Sequence, residues 1–140
     1  ARLLPQALAA PVDLALLVFG VNDSTHLSSL RAWRQALRHM AQSFQAQGVQ
    51  VAFTAVPPLQ HFSALPWLLR QLFGLRAAIL DLQLRRLAGQ LGASHCPVKL
   101  QFVADYLAVD GYHPSARGYQ AWAAGLAPQL LTRPPARAAE

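Results

Sequence analysis

Two short polar segments contain residue types suited to acid–base and oxyanion chemistry. The first, Gly20-Val21-Asn22-Asp23, directly follows an apolar stretch of the chain. The side-chain amide of Asn22 can donate a hydrogen bond to a developing oxyanion. Gly, Asn and Asp also favour turns, so an ordinary turn is the alternative interpretation of this segment.

The second segment, Asp110-Gly111-Tyr112-His113-Pro114, places a carboxylate three residues before a histidine. On one tight loop Asp110 can reach the imidazole of His113, fix its tautomer and stabilise the imidazolium. The alternative is an aspartate that caps a turn beside a surface histidine. The pattern indicates a general base with its orienting carboxylate.

Apolar periodicity predicts strands that alternate with helices. Strands are predicted at 12–19, at 49–56 and, more weakly, at 94–100. Helices are predicted from Ser28 or Ser29 to Gly48, over 67–91 with a break at Gly74, and after Ser115, with Pro128 kinking or closing the last one. Such alternation is typical of βαβ units and a parallel sheet.

In a parallel sheet the ligand site lies at the carboxyl ends of the strands. This rule points to the loops at 20–25, 57–66 and 102–115. Substrate contacts are expected from Gly20, Asp23, Pro57 and Trp67. Asp23 has a structural alternative, because it can hold the loop that carries Asn22.

The composition is that of a globular chain of about one domain. Of 140 residues, 54% are apolar and 13% are charged, which excludes a disordered chain. The longest apolar run, 14–19, is too short to cross a bilayer, so no stable membrane insertion is expected. The net charge of +6 comes from scattered arginines without interleaved aromatic residues, so nucleic acid is not an expected partner.

Cysteine and histidine content excludes some kinds of site. The lone Cys96 excludes an internal disulfide and a cysteine-rich zinc site, and the histidines lack metal-ligand spacing. We therefore expect no metal and no cofactor. A single cysteine fits a cytoplasmic protein, but a signal in upstream sequence would send the chain to the periplasm or outside the cell.

Together, the two polar segments resemble the SGNH hydrolases, the GDSL esterase/lipase family. Segment 20–23 is similar to that family's G-x-N-D block at the end of its third strand, and segment 110–114 to its D-x-x-H block before the C-terminal helix. The resemblance covers roughly residues 6–131. It implies an α/β fold of three α/β/α layers, flavodoxin-like, with a parallel sheet. Residues 1–131 would be the C-terminal portion of one domain, and 132–140 a frayed tail.

The resemblance implies hydrolysis of carboxylic esters, with a small acyl ester or a lipid-like molecule as substrate. It implies that His113 is the general base, that Asp110 orients it and that Asn22 contributes to the oxyanion hole.

The family's Gly-Asp-Ser block, which holds the nucleophile, has no match here, and neither does its oxyanion glycine. Ser24 follows the wrong block. We therefore expect the C-terminal portion of a longer hydrolase, inactive alone, with its serine in upstream sequence. If the whole domain has the flavodoxin-like strand order 2-1-3-4-5, the three strands predicted in this chain would be its neighbouring strands 3, 4 and 5. Strand 14–19 would then be an exposed apolar edge, which pairs with another chain or with the missing segment.

Three alternatives stay open. The apolar segment 67–73 is interpreted as a core helix face, or else as a mobile flap over an acyl-chain pocket; apolar residues Leu68, Leu72, Leu75, Ile79 and Leu82 share one side of that helix. The chain could be a non-catalytic hydrolase-like module that binds a partner. It could also bind nucleic acid, if one face gathers Arg31, Arg34, Arg38, Arg85 and Arg86.

Overall fold

A computed structural model describes residues 3–62, 64–98, 104–111 and 113–131. Its elements, in chain order, are α1 (Leu4–Ala9), β1 (Leu14–Leu17), α2 (Val21–Thr25), α3 (Leu30–Gln45), β2 (Gln50–Thr54), α4 (Trp67–Leu91), β3 (Ser94–Cys96) and α5 (Ala116–Leu131). Single 3₁₀ turns form at Leu59–His61 and Ala104–Tyr106. Tyr112 and the predicted tail at 132–140 lie outside the described residues.

The three strands form one parallel sheet in the order β1-β2-β3, as predicted. Ala15 lies opposite Val51, and Phe53 lies opposite His95. The strands are shorter than the apolar runs that predicted them, because such runs report burial rather than hydrogen-bonded pairing. Residues 12 and 18–19, for example, extend the run beyond β1 but are exposed.

Helices cover both faces of the sheet, which gives the three layers of an α/β/α fold. On one face, Val51 and Phe53 belong to the main core with buried side chains of α3 and α4. On the other face, Ala52 and Cys96 pack against Leu126 of α5. Cys96 is a buried free cysteine that packs as a small apolar side chain in this second cluster.

β1 forms one edge of this sheet. Its residues alternate between buried and exposed, with Leu14 and Leu16 exposed. Helix α5 covers the corresponding face of β2 and β3 but leaves these two leucines open to solvent. An apolar groove of about 980 Å³ runs along this edge, between β1, α1 and α3.

Helix α3 forms within its predicted range, where apolar residues recur every three or four positions as a stripe, namely Leu30, Trp33, Leu37, Met40 and Phe44. The Ser29 hydroxyl accepts a bond from the amide of Ala32 at 3.5 Å, which caps the helix start. Within the stripe, Trp33, Leu37 and Phe44 are buried. The amphipathic pattern therefore identified the face that contacts the sheet.

Helix α4 corrects two sequence predictions. It continues through Gly74 without a break. Gly74 is buried against Gln60, where a Cβ would lie 2.8 Å from the side-chain oxygen, so the glycine allows close packing rather than ending the helix. The interpretation of 67–73 as a core face is wrong, since most of this segment is exposed and only Phe73 packs against the core. The helix instead buries the opposite side, formed by Gly74, Ala77, Leu80, Leu84, Leu87 and Ala88.

The last predicted features differ in detail. Pro128 does not close α5, since the helix continues through it to Leu131. The predicted loop at 20–25 is mostly the short helix α2. None of the helices within the described ranges has the length and apolar content that crossing a membrane requires.

Candidate active site

The structure brings Asp110 and His113 into direct contact. One oxygen, Oδ2, lies 2.7 Å from Nδ1 of the His113 ring, and the other, Oδ1, accepts the His113 backbone N–H at 3.0 Å. The carboxylate therefore holds the histidine at two points, its ring and its backbone. A hydrogen bond from Nδ1–H to a carboxylate selects the tautomer in which Nε2 is the basic nitrogen.

Both side chains are accessible, with 67% of His113 and 50% of Asp110 exposed. An imidazole with this access can exchange protons with a bound molecule. The contact is thus suited to general-base chemistry as well as to closing a turn.

Backbone bonds shape the loop that carries this pair. The amide of Gly111 donates to Ala108 at 2.8 Å, and the amide of Ala108 donates to the His113 carbonyl at 2.7 Å. Leu107 and Pro114 form an isolated antiparallel bridge just outside them. The backbone of His113 is therefore held at both its amide, by Asp110, and its carbonyl, by Ala108.

The start of α5 anchors the same loop. The Ser115 hydroxyl donates to the Asp105 carbonyl at 2.8 Å and accepts the Gly118 amide at 3.1 Å, so Ser115 caps the helix that was predicted to follow it. The Ser115 amide donates to the Tyr106 carbonyl at 2.9 Å. Gly118 packs so closely on that carbonyl that a Cβ would lie 2.1 Å from its oxygen. Loop and helix therefore form one tightly packed unit.

The first polar segment forms the beginning of α2. Gly20 precedes it with a φ of +116°, in the left-handed region, and a Cβ there would lie 2.5 Å from a methyl group of Val56. Only glycine fits without strain, because both the backbone conformation and the space exclude a side chain. Gly20 thus lets the chain turn closely over the end of β2.

Asn22 lies exposed in the first turn of α2, and Asp23 beside it is half-buried. The Asn22 carbonyl lies 2.8 Å from Nδ1 of His26. Ser24 is fully buried and its hydroxyl donates to the Gly20 carbonyl at 2.6 Å, so it holds the turn rather than facing solvent. The segment 20–23 therefore carries the Asn22 side-chain amide just beyond the carboxyl end of β1, as the sequence predicted.

The remaining predicted substrate contacts lie along the same edge. Pro57 is half-buried just after β2, while Trp67 is 67% exposed at the first position of α4. Asn22, Pro57 and Trp67 lie on separate elements from the Asp110–His113 loop. Their roles toward a substrate stay predictions.

The structure contains a second histidine–carboxylate pair, His95 and Asp81, that the sequence patterns did not predict. Nε2 of His95, in β3, lies 2.9 Å from Oδ1 of Asp81 in α4. The same oxygen accepts the Val56 amide at 2.8 Å. The side chains are 14% and 30% exposed, respectively, and line a small cleft with Arg85. Asp81 thus links α4 to the ends of β2 and β3. In the sequence, the signal for this pair is that the polar residue Asp81 lies beside the helix positions Ala77, Leu80 and Leu84, which are buried.

The basic residues do not share one cleft. Arg31, Arg34 and Arg38 of α3 line a shallow cleft with Gln83. Arg85 lines the separate cleft beside Asp81 and His95. Four of the five arginines named for nucleic-acid binding therefore line two clefts, three in one and Arg85 in the other.

Comparison with known protein families matches residues 1–121 to the GDSL-like Lipase/Acylhydrolase family. The matched range contains both polar segments. No curated protein is similar enough to the chain to count as a match. Within the described ranges, no group of three or more His, Cys, Asp and Glu side chains is arranged to hold a metal ion.

Proposed function

Because the chain belongs to the GDSL-like lipase and acylhydrolase family, we propose that it supplies the general base and part of the oxyanion hole of a serine esterase. The observation that carries the proposal is the double contact of Asp110 with His113, to Nδ1 at 2.7 Å and to the backbone amide at 3.0 Å. A carboxylate in this position aligns the imidazole and stabilises its charged form.

The proposed reaction is acyl transfer through a serine. Nε2 of His113 takes the proton of the serine hydroxyl as its oxygen bonds to the ester carbonyl carbon. The carbonyl oxygen becomes an oxyanion, to which the Asn22 amide donates a hydrogen bond. The intermediate collapses, the carbon–alkoxide bond breaks, and His113 returns the proton to the leaving alcohol.

The acyl-enzyme is then hydrolysed by the same groups. His113 takes a proton from water as the hydroxide bonds to the acyl carbon. Collapse of the second intermediate releases the carboxylic acid, and His113 returns the proton to the serine. No step consumes a cofactor.

We assign the nucleophile to upstream sequence, because Ser24 and Ser115, the serines that follow the two polar segments, have structural roles. Ser24 is fully buried. The hydroxyl of Ser115 is engaged by Asp105 and Gly118 on either side. The open edge of β1 and its apolar groove provide room for the segment that brings the serine, with Leu14 and Leu16 covered on pairing.

The test is hydrolysis of p-nitrophenyl esters, from acetate to longer acyl chains, by the full-length protein. His113→Ala should abolish activity, with His39→Ala, an exposed histidine on α3, as the matched control. Asp110→Asn should lower kcat by up to about 10⁴-fold, the scale found for the acid of a Ser-His-Asp triad. Asp105→Asn, at an exposed aspartate of the neighbouring turn, should leave kcat near wild type.

Asn22→Ala should lower kcat by roughly 10²–10³, the usual effect of losing one oxyanion donor. Wild-type activity in the His113→Ala protein would overturn the assignment. Equal losses in the His39→Ala control would show that the effect is a general loss of folding.

The apolar groove also favours a second candidate function, a non-catalytic module that binds a partner along β1. The two candidates differ in upstream sequence. A Gly-Asp-Ser segment after a strand pattern in the parent gene favours the esterase, and its absence favours the binding module.

A further inference from the structure

The turn that carries Asn22 rests on the chain just after β2. Gly20, which begins this turn, is buried, and a Cβ on it would lie 2.5 Å from one methyl group of Val56 and 2.9 Å from the other. The amide and the hydroxyl of Ser24 both donate to the Gly20 carbonyl, at 2.8 and 2.6 Å, so the turn is internally rigid. The place of Asn22, two residues after Gly20, therefore depends on where Val56 lies.

Val56 is in turn fixed by helix α4. It lies two residues beyond the end of β2, and its amide donates to Oδ1 of Asp81 at 2.8 Å. A carboxylate acceptor makes this bond stronger than one between neutral groups. The same oxygen lies 2.9 Å from Nε2 of His95, which ties Asp81 to β3 as well. Asp81 therefore sets the height of Val56 beneath Gly20.

Helix α4 also holds the chain on the other side of this turn. The guanidinium of Arg76 donates to the Ser28 carbonyl, three residues after the end of α2. Helix α2 itself packs against α4. The short helix that carries Asn22 is thus held by α4 at both of its ends, through Gly20 at its start and through Ser28 after its last turn.

We propose that Asp81 is a positioning residue for the oxyanion donor Asn22, a role that rests on the esterase function proposed above. The carboxylate of Asp81 fixes the Val56 amide, the Val56 side chain supports Gly20, and Gly20 sets the direction of the first turn of α2. An oxyanion donor contributes only when it lies at hydrogen-bond distance from the oxyanion. Displacement of the turn therefore lowers kcat, because the donor stays present but is misplaced.

The competing route from Asp81 to the active site runs through His95 and β3. This strand precedes the loop of Asp110 and His113 in the chain, so the same carboxylate would then position the general base. The observations favour the route to Asn22, because each of its steps is a direct contact. Residues 97–109, by contrast, separate β3 from the pair of Asp110 and His113.

Kinetics of the full-length protein with p-nitrophenyl acetate test the proposal. Asp81→Ala should lower kcat per folded molecule about 10- to 100-fold at unchanged KM, the scale of a displaced catalytic group. Asp81→Asn should keep most of the wild-type kcat, because its amide oxygen still accepts the Val56 amide. His95→Ala is the matched control, since it removes the link to β3 and leaves the link to Val56, and it should keep the wild-type kcat.

A double-mutant cycle separates positioning of Asn22 from other effects. In an Asn22→Ala background, Asp81→Ala should lower kcat by less than about twofold, because no donor remains to be misplaced. Action through His113, or a general loss of order, would instead multiply the two losses. Val56→Ala shortens the side chain beneath Gly20 and keeps Asp81, so it repeats the cycle if Asp81→Ala does not fold.

Amide NMR spectra of the isotope-labelled protein report the position of Asn22 without any substrate. Asp81→Ala and Val56→Ala should each shift the side-chain amide signal of Asn22 and the backbone signal of Gly20. His95→Ala should leave both signals in place. Unshifted signals in Asp81→Ala would refute the link, whatever the activity of the protein.

The outcomes distinguish this proposal from the esterase assignment. Wild-type kcat in Asp81→Ala, a loss that multiplies with that of Asn22→Ala, or an equal loss in His95→Ala would overturn the positioning role and leave the esterase assignment intact. Absence of esterase activity, or activity that survives both His113→Ala and Asn22→Ala, would overturn the esterase assignment and the positioning role together, even where the NMR signals shift.

Discussion

Replacing Gly118 by alanine tests whether the start of α5 sets the position of the histidine loop. A Cβ at Gly118 would lie 2.1 Å from the Tyr106 carbonyl oxygen and 3.0 Å from its carbon. That carbonyl already accepts the Ser115 amide at 2.9 Å. It therefore cannot move aside without losing a hydrogen bond that joins the loop to the helix.

Three contributions set the size of the effect. Forcing a methyl group into this contact costs about 1–3 kcal/mol of folding free energy. Weakening the bond from Ser115 to Tyr106 costs about 1 kcal/mol more. Alanine in place of helical glycine returns about 0.5–1 kcal/mol. In total, Gly118→Ala should lower the free energy of unfolding by about 1–3 kcal/mol.

Gly89→Ala is the matched control, because Gly89 also lies inside a helix but has nothing within 4 Å of its Cβ position. It should gain about 0.5–1 kcal/mol from helix propensity alone. The two variants should therefore differ by about 2–4 kcal/mol in opposite directions from wild type. Urea denaturation followed by circular dichroism measures both values.

A Gly118→Ala protein at least as stable as wild type would refute the close contact with Tyr106. A destabilised variant whose folded fraction keeps the wild-type kcat would keep the contact but refute its positioning of His113. The expected result is a loss of stability together with a lower kcat at unchanged KM, since only the base is displaced.

Other perturbations follow from the packing of the sheet edge and of α4. Gly20→Ala should lower the free energy of unfolding by at least about 2 kcal/mol, because left-handed strain and a collision with the end of β2 add together. Gly48→Ala, which has open space around it, should lower the free energy of unfolding by only about 1–2 kcal/mol, through strain alone. Asp81→Ala should lose about 1–3 kcal/mol, because it leaves a partly buried backbone amide and an imidazole without their acceptor. Leu80→Ala should lose about 2–5 kcal/mol and Leu75→Ala little, because the first side chain is fully buried and the second exposed.

Chemical denaturation at low protein concentration measures each of these differences. Equal losses for the two glycine variants would contradict the collision at β2. A stable Asp81→Ala protein would contradict the link from α4 to the sheet. Equal effects at Leu75 and Leu80 would contradict the orientation of α4.

Much of the architecture was predictable because it depends on local patterns. Spacings of three and four residues predicted α3 and the face that it buries, and Ser29 marked its beginning. Apolar runs bounded by Gly and Pro predicted the three strands. Asp110 and His113 lie three residues apart, so a single loop was sufficient to bring them together.

The orientation of α4 was not predictable in the same way. Its 25 residues have leucines on two sides, one containing Leu75 and the other Leu80, and each side shows a regular helical spacing. Hydrophobic periodicity detects both but does not rank them, because burial depends on what packs against the helix. The contacts with the sheet and α3 decided which side is core and left the side that contains Leu75 in solvent.

The sequence by itself determined the fold class, the polar segments and the pairing of Asp110 with His113, because these depend on neighbours along the chain. Tertiary structure alone decided that Asp81 meets His95 and the end of β2, since the residues lie on different elements. It also decided that Gly20 and Gly118 must be glycine, because each faces a segment that folding brings within contact distance. Those contacts depend on how elements pack, and no local pattern records packing.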